Sequence, residues 1–419
     1  MIVDVPYGTE TIKVQIPPPY EILSPNKVKC KDEKRIITDA LQHPIGKETF
    51  DEFIKKSERL LVIVNDATRP TPSSKVLEYL HPLLSSHPAV KFLVATGVHR
   101  APTKEEYQYI FGRFYEPFKD RIYAHDARKE SDMIYLGKSK NGTEMYINKM
   151  VTESRNVLVI GSVEPHYFAG YTGGRKSFLP GVASYKTIEM NHKLALSENA
   201  CSLALKGNPV HEDMVDAMNV LKDINVFSIQ TVLTGDHKIY AATSGDLLKS
   251  FEMAIQFATK VFCVPLQKKG NIVLTIAPYP MDIDLYQSQK ALDNGKLALE
   301  EDGIIILISK CRMGIGEDAF LDLFCKAETP QGVLEILGDE YKLGYHKAAK
   351  MAAIGVHAQM WTVTDLPDDI VKKAMLKPYQ SIQKAIDDAV KIIQYKGRKP
   401  HVIVMPSGSL TIPVLHGGT

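Results

Sequence analysis

Residues 156–192 read NVLVIGSVEPHYFAGYTGGRKSFLPGVASYKTIEMNH, and the fold is read outward from them. The opening NVLVI is a short apolar, β-branched run of the kind buried in a parallel sheet. From Gly161 onward, positions that a packing segment would give to Leu, Val and Ala hold other residue types. They carry two histidines (His166, His192), a lysine inside a glycine-rich turn (Gly173-Gly174-Arg175-Lys176) and two stiffening prolines. A buried strand that feeds directly into such a loop marks an α/β protein whose ligand lies at the carboxyl ends of its strands.

Two more stretches repeat the pattern. Arg59–Asn65 (RLLVIVN) breaks at Asp66-Ala67-Thr68-Arg69-Pro70-Thr71-Pro72-Ser73, with a helix beginning near Ser74. Val90–Thr96 (VKFLVAT) ends in Gly97-Val98-His99-Arg100, and Thr103 with Glu106 forms a capping-box signature for a helix through Phe111. Three chemically unusual loops at one sheet edge are a stronger signal than any one of them.

A chain of 419 residues is long for one hydrophobic core, so two domains are expected. The alternating residues 2–16 read as a hairpin ahead of a proline-rich connector, and Val264–Gly270 reads as a linker. Beyond it, apolar runs at 271–276, 303–309, 360–364 and 401–405 alternate with helical patterns. The expected architecture is two α/β domains with largely parallel sheets and an active-site cleft between them. Residues 1–265 form a cofactor-binding domain and 266–419 a closing domain, the last strand being a candidate to return to the first.

Fifty-one basic against forty-nine acidic residues gives no support for nucleic-acid or membrane-surface binding. Five scattered cysteines without a CxxC pair argue against a zinc knuckle or a disulfide framework. No signal-peptide pattern follows Met1 and no apolar run approaches a membrane span, so a cytoplasmic protein is expected.

Gly170–Ser177 (GYTGGRKS) resembles a phosphate loop but has Arg175 where the triphosphatase pattern needs glycine. A dinucleotide GxGxxG is also missing. What remains is a turn that could cradle an anion, or a turn that serves the fold alone. Lys176 can be read as a counter-ion or as a nucleophile. His99 and His166 follow strands at the ligand edge, which sets them apart from His81, His87, His237 and His401. None of the candidates shows HxH or HxxxH spacing, so a cage built from protein ligands alone is not expected. Asp66 and Thr68 can be read as a capped turn, whereas Arg69 is suited to a carboxylate or phosphate. Tyr286, Gln287 and Lys290 lie near the start of a helix, Gln287 and Lys290 on one face, and can equally be a solvated surface.

Taken together, DATRP (66–70), ATGVHR (95–100), EPHYFAGYTGGRKSFLPGVASYKTI (164–188), NH (191–192) and YQSQK (286–290) resemble the nickel-dependent lactate racemase family. The resemblance implies a racemase or epimerase of 2-hydroxy acids. Its cofactor would be a nickel-pincer nucleotide, a nicotinate-derived mononucleotide held covalently on Lys176, with His192 as a nickel ligand. It further implies that His99 and His166 exchange protons on opposite sides of the substrate. Asp66, Thr68, Arg69, Gly173, Gly174, Arg175 and Ser177 match the region around the cofactor. Arg69, Arg100, Tyr286, Gln287 and Lys290 are the substrate-binding candidates. Maturation would need cofactor-synthesis enzymes as partners.

The implied chemistry suits these residue types. The α carbon of a 2-hydroxy acid is weakly acidic. Losing its hydrogen as hydride is easier once a base takes the hydroxyl proton, and the planar 2-keto acid can regain hydride on either face. Two bases are then needed, and histidine titrates in the right range. The chain departs from the lactate enzyme in one place: Leu343-Gly344-Tyr345-His346-Lys347 stands where that enzyme has an active-site tryptophan, and Trp361 does not align with it. The alternative from another class is a non-catalytic nucleotide- or anion-binding protein of the same fold. A dehydrogenase using free NAD is disfavoured by the missing GxGxxG.

Overall fold

The computed structural model describes residues 1–337 and 340–415. The chain opens with β1 (Ile2–Tyr7) and β2 (Glu10–Gln15), an antiparallel hairpin turned at Gly8 (φ +64°), followed by the short β3 (Tyr20–Ile22). Two units follow from the contacts: Lys27–Val261 is one, and Met1–Asn26 together with Phe262 onward is the other.

In Lys27–Val261 the strands are β4 (Leu60–Asn65), β5 (Val90–Ala95), β6 (Ile122–Ala124), β7 (Met133–Lys138), β8 (Glu144–Asn148) and β9 (Asn156–Ser162). The two-residue β10 (Pro165–His166) and β11 (Gly170–Tyr171), then β12 (Asn225–Leu233) and β13 (Ile239–Gly245), complete them. Six form one sheet in the order β13-β12-β9-β4-β5-β6, parallel except for β12 with β13. Leu60–Val64 are completely enclosed, because helices cover both faces of a central parallel strand. Each such side chain contributes about 1.5–3 kcal/mol relative to exposure.

This order places a switch point between β4 and β9. From β4 the chain winds to β5 and β6 on one side, and β9 pairs with the opposite edge of β4. The register sets Asn65 beside Ala95 and Val64 beside Ile160, so the three strands end within one residue of each other. The loops that leave there, beginning at Asp66, Thr96 and Val163, diverge around the crevice where open α/β sheets take ligands.

The second unit holds β14 (Cys263–Leu266), β15 (Gly270–Ile276), β16 (Leu299–Ile308), β17 (Gln359–Val363), β18 (Lys377–Tyr379), β19 (Val402–Met405) and β20 (Ile412–Leu415). Its six-stranded sheet runs β18-β17-β16-β15-β19-β3 and is parallel throughout.

Two expectations are corrected here. The first 26 residues do not belong with the cofactor-binding domain. β3 pairs with β19, and the hairpin's inward residues Val3, Val5, Val14 and Ile16 join a core with Ile272, Leu274, Ile306 and Trp361. An alternating hairpin has one apolar face to bury, and this sheet supplies the opposing surface. The stretch 264–270 is not simply a linker, because β14 pairs in parallel with β20, so the final strand also stays in this unit. Pro265 disguised β14 as a connector, as proline does on short or edge strands.

Candidate active site

Asp66 stands one residue beyond β4 and is buried. Its Oδ2 receives His99 Nδ1–H at 2.7 Å and its Oδ1 accepts the Thr68 hydroxyl at 2.7 Å. Burial alone would raise this carboxyl; the hydrogen bond and charge of His99, with Thr68 and Arg69, outweigh it and hold the group below its ordinary range. An ionised carboxylate fixes the proton of the His99 ring on Nδ1 and leaves Nε2 as the basic nitrogen.

The three loops are stitched to one another. Asn65 donates to the Thr71 hydroxyl, which pairs at 2.8 Å with Ser162 at the end of β9. Gly97 N–H donates to Gly181 O at 3.0 Å, tying the His99 loop to the end of the glycine-rich one. Arg69 Nη1 lies 3.9 Å from Glu164. The hydrogen bonds among them are short and largely shielded, so the edge is stiff where Arg69 alone is loosely held.

In the glycine-rich loop, β10 and β11 form a miniature antiparallel pair that sets His166 opposite Gly170. His166 is buried, and its Nδ1 accepts from the backbone N–H groups of Ala169 (3.3 Å) and Phe168 (3.5 Å). A ring nitrogen that accepts cannot carry the proton, so the neutral imidazole of His166 is protonated at Nε2. Phe168 gathers the other candidates: His166 meets its ring at 4.6 Å and His192 at 5.1 Å between centroids, and Lys176 Nζ lies 5.4 Å from its centre. The hydroxyl-capped helix Tyr185–Lys193 carries His192 in its last turn, with Ser184 as N-cap.

Gly173 (φ +80°) and Gly174 (φ +52°) serve the fit of the loop. A Cβ on Gly173 would come within 2.6 Å of Val163 and 2.7 Å of Gln230, and one on Gly174 within 2.9 Å of Phe251. Gly174 N–H donates to Gln230 Oε1, so it is not an open donor for an anion. Arg175 is fully buried: Nη1 donates to Tyr171 O and Gly173 O, and Nη2 to Ala169 O, so the guanidinium grips its own loop. Arg175, matched by its motif to the region around the cofactor, thus directs its guanidinium into its own loop. Ser177 is buried in the same short turn.

Arg100 is likewise not brought in. It is exposed and makes a two-pronged pair with Glu106 (2.7 and 2.9 Å), the residue that also closes the capping box with Thr103. In the second unit, Tyr286, Gln287 and Lys290 are half-buried on the helix Leu285–Gly295, capped by Asp284, which accepts Gln287 N–H. Lys347 Nζ donates to Tyr286 O at 2.7 Å and lies 3.2 Å from the centre of its ring. Trp361 is enclosed and stacked on Tyr379 in the core.

Residues 7–203 match the family model described as lactate racemase N-terminal domain, and 266–412 match lactate racemase C-terminal domain. A lactate racemase of Thermoanaerobacterium thermosaccharolyticum is 30% identical over 422 residues, covering 97% of each chain. The chain belongs to the lactate racemase family. A lactate racemase of Lactiplantibacillus plantarum is also 30% identical, over 97% of this chain and 98% of its own. Among solved structures, the lactate racemase apoprotein from T. thermosaccharolyticum superposes with a TM-score of 0.90 at 29% identity, over 99% of this chain and 100% of that one. A protein from Thermotoga maritima shares the fold, with a TM-score of 0.69 at 16% identity over 92% and 98%. Family membership makes this protein an isomerase of the racemase class. Glu164 and Gln230 are the residues of this edge that the motif reading passed over. Glu164 lies inside the quoted motif, whereas Gln230, on β12, leaves no local signal.

Proposed function

We propose that this chain racemises or epimerises lactate or a related 2-hydroxy acid, with His99 and His166 exchanging the hydroxyl proton and a nickel-pincer nucleotide carried on Lys176. The observation that supports this reading most is the pairing of His99 with the buried Asp66 carboxylate, which fixes its basic nitrogen at a sheet edge that also carries His166. His99 gives its Nδ1–H to Asp66 and presents a lone pair at Nε2. His166 uses Nδ1 as an acceptor and presents Nε2–H. The ring that takes a hydroxyl proton must be neutral and the ring that returns one must be an imidazolium, so each histidine passes between these two forms in turn, and His166 becomes the acid once Nδ1 exchanges its backbone donors for a proton.

The donor set suits the implied cofactor. Lys176 offers an amine and His192 an imidazole on the same aromatic ring, and Gly173 and Gly174 keep side-chain atoms out of the turn between them and β9. Among the described residues no group of three or more His, Cys, Asp or Glu could hold a metal, so nickel would take most of its ligands from the nucleotide. When bound, that nucleotide supplies the acceptor for the α-hydrogen. Arg69, loosely paired with Glu164, is the candidate for the substrate carboxylate, and Tyr286, Gln287 and Lys290 are carried as further substrate contacts. Among the described residues no helix is long and apolar enough to cross a membrane.

The test is co-expression with nickel-pincer synthesis enzymes. Intact-mass and peptide analysis should place the nucleotide on Lys176, and chiral chromatography should show interconversion of an enantiopure 2-hydroxy acid from a panel of lactate, malate, 2-hydroxyglutarate and sugar acids. A chain that carries the adduct and leaves the whole panel unchanged would be a binding protein, and the racemase reading would fall.

A further inference from the structure

Arg175 has no surface exposure, and among the described residues its Nε meets no hydrogen-bond partner. Burial pushes its guanidinium down, to about 9, and it stays cationic at neutral pH. Its surroundings are three carbonyls, those of Ala169, Tyr171 and Gly173, and the ring of Phe251 at 4.4 Å. His211, also near, is pushed down to about 3 by its own burial and by the charge of Arg175, so it adds no second cation and no counter-charge. A buried cation without an anion is costly, and an apolar side chain of similar volume would fill the space more cheaply.

What the arginine does there is geometric. Every second carbonyl from Ala169 to Gly173 turns toward one planar fork, a set of acceptors that an ammonium could not satisfy together. That winds the loop into a collar. Lys176 N–H then donates to Gly173 O, and the half-buried Lys176 carries its Nζ to Phe168.

We propose that Arg175 is a positioning residue for Lys176, holding the collar from inside so that the neighbouring amine is presented beside Phe168 for attachment. This rests on the reading of Lys176 as the attachment point. Arg175 touches neither the substrate nor the reacting atoms.

The test uses the full chain without cofactor and pyridoxal phosphate as a probe. Its aldehyde condenses with the lysine amine and releases water, and borohydride adds hydride to the imine carbon, leaving a secondary amine that peptide mass spectrometry can place. Arg175→Ala should slow labelling of Lys176 about tenfold or more relative to surface lysines, the scale of effect expected when a reacting group is misplaced. Methylguanidinium should refill the vacated space and restore the rate saturably, whereas Arg175→Lys should not restore it. Unchanged labelling in Arg175→Ala overturns the proposal. So does a loss that methylguanidinium cannot reverse, including a variant that stays unfolded in its presence, since Arg175 would then serve folding alone. Failure of the wild-type chain to gain the nucleotide in the co-expression test would instead sink the racemase reading, and leave the labelling result to stand by itself.

Discussion

Asp66 Oδ2 and His99 Nδ1 stand 2.7 Å apart across 33 residues of sequence, joined because their strands are sheet neighbours that end level. The carboxylate chooses the tautomer of the imidazole, so Asp66→Asn should lower kcat/KM by about 10²- to 10⁴-fold through the wrong tautomer. The folded pKa of Asp66 lies below its ordinary 3.8. The stability it contributes is therefore complete above that value and is lost as the pH falls through the lower folded value. Tm profiles of the wild type and Asp66→Asn should run parallel from pH 5 to 8 and converge only in more acid solution; convergence near neutrality would contradict the pairing.

His99→Ala and His166→Ala should each abolish interconversion of enantiomers while leaving the nucleotide on Lys176, as judged by intact mass. A variant of either that racemises at the normal rate removes that histidine from the mechanism.

Gly174→Ala should destabilise by about 1–3 kcal/mol, because it forces a Cβ against Phe251 at positive φ. Denaturant melts read this directly. A variant as stable as the wild type would show that the loop does not need glycine there.

Arg100→Ala should change kcat/KM by less than about twofold, since its exposed guanidinium is committed to Glu106 and surface pairs contribute little. A steep rise in KM would restore Arg100 to substrate binding.

The parallel strands were legible because Leu60–Asn65, Val90–Ala95 and Asn156–Ser162 are short, apolar and followed by polar loops. The three-loop edge was legible for the same reason. The directions of the Arg175 and Arg100 side chains were not legible, because a sequence records a cation beside a glycine or a histidine without recording where it points. One is drawn inward by carbonyls of its own loop, the other outward by a helix cap. The partner of β14 lies near the far end of the chain, and no local pattern announces such a pairing. The antiparallel β7 and β8 went unseen for a different cause: β7 is half-exposed and β8 is only five residues long, so neither shows the enclosed apolar run of a central strand.

Because β3 lies at the edge of the second sheet, residues 1–26 share a unit with the strands that follow Val261, and Lys27–Val261 is one uninterrupted insertion within it. During synthesis the insertion emerges whole and can fold while its host still lacks five of the six strands of its sheet. The host must meanwhile keep its first strand in reserve. Cutting residues 1–26 away would spare the inserted unit, yet leave β19 with a bare hydrogen-bonding edge open to pairing with other molecules.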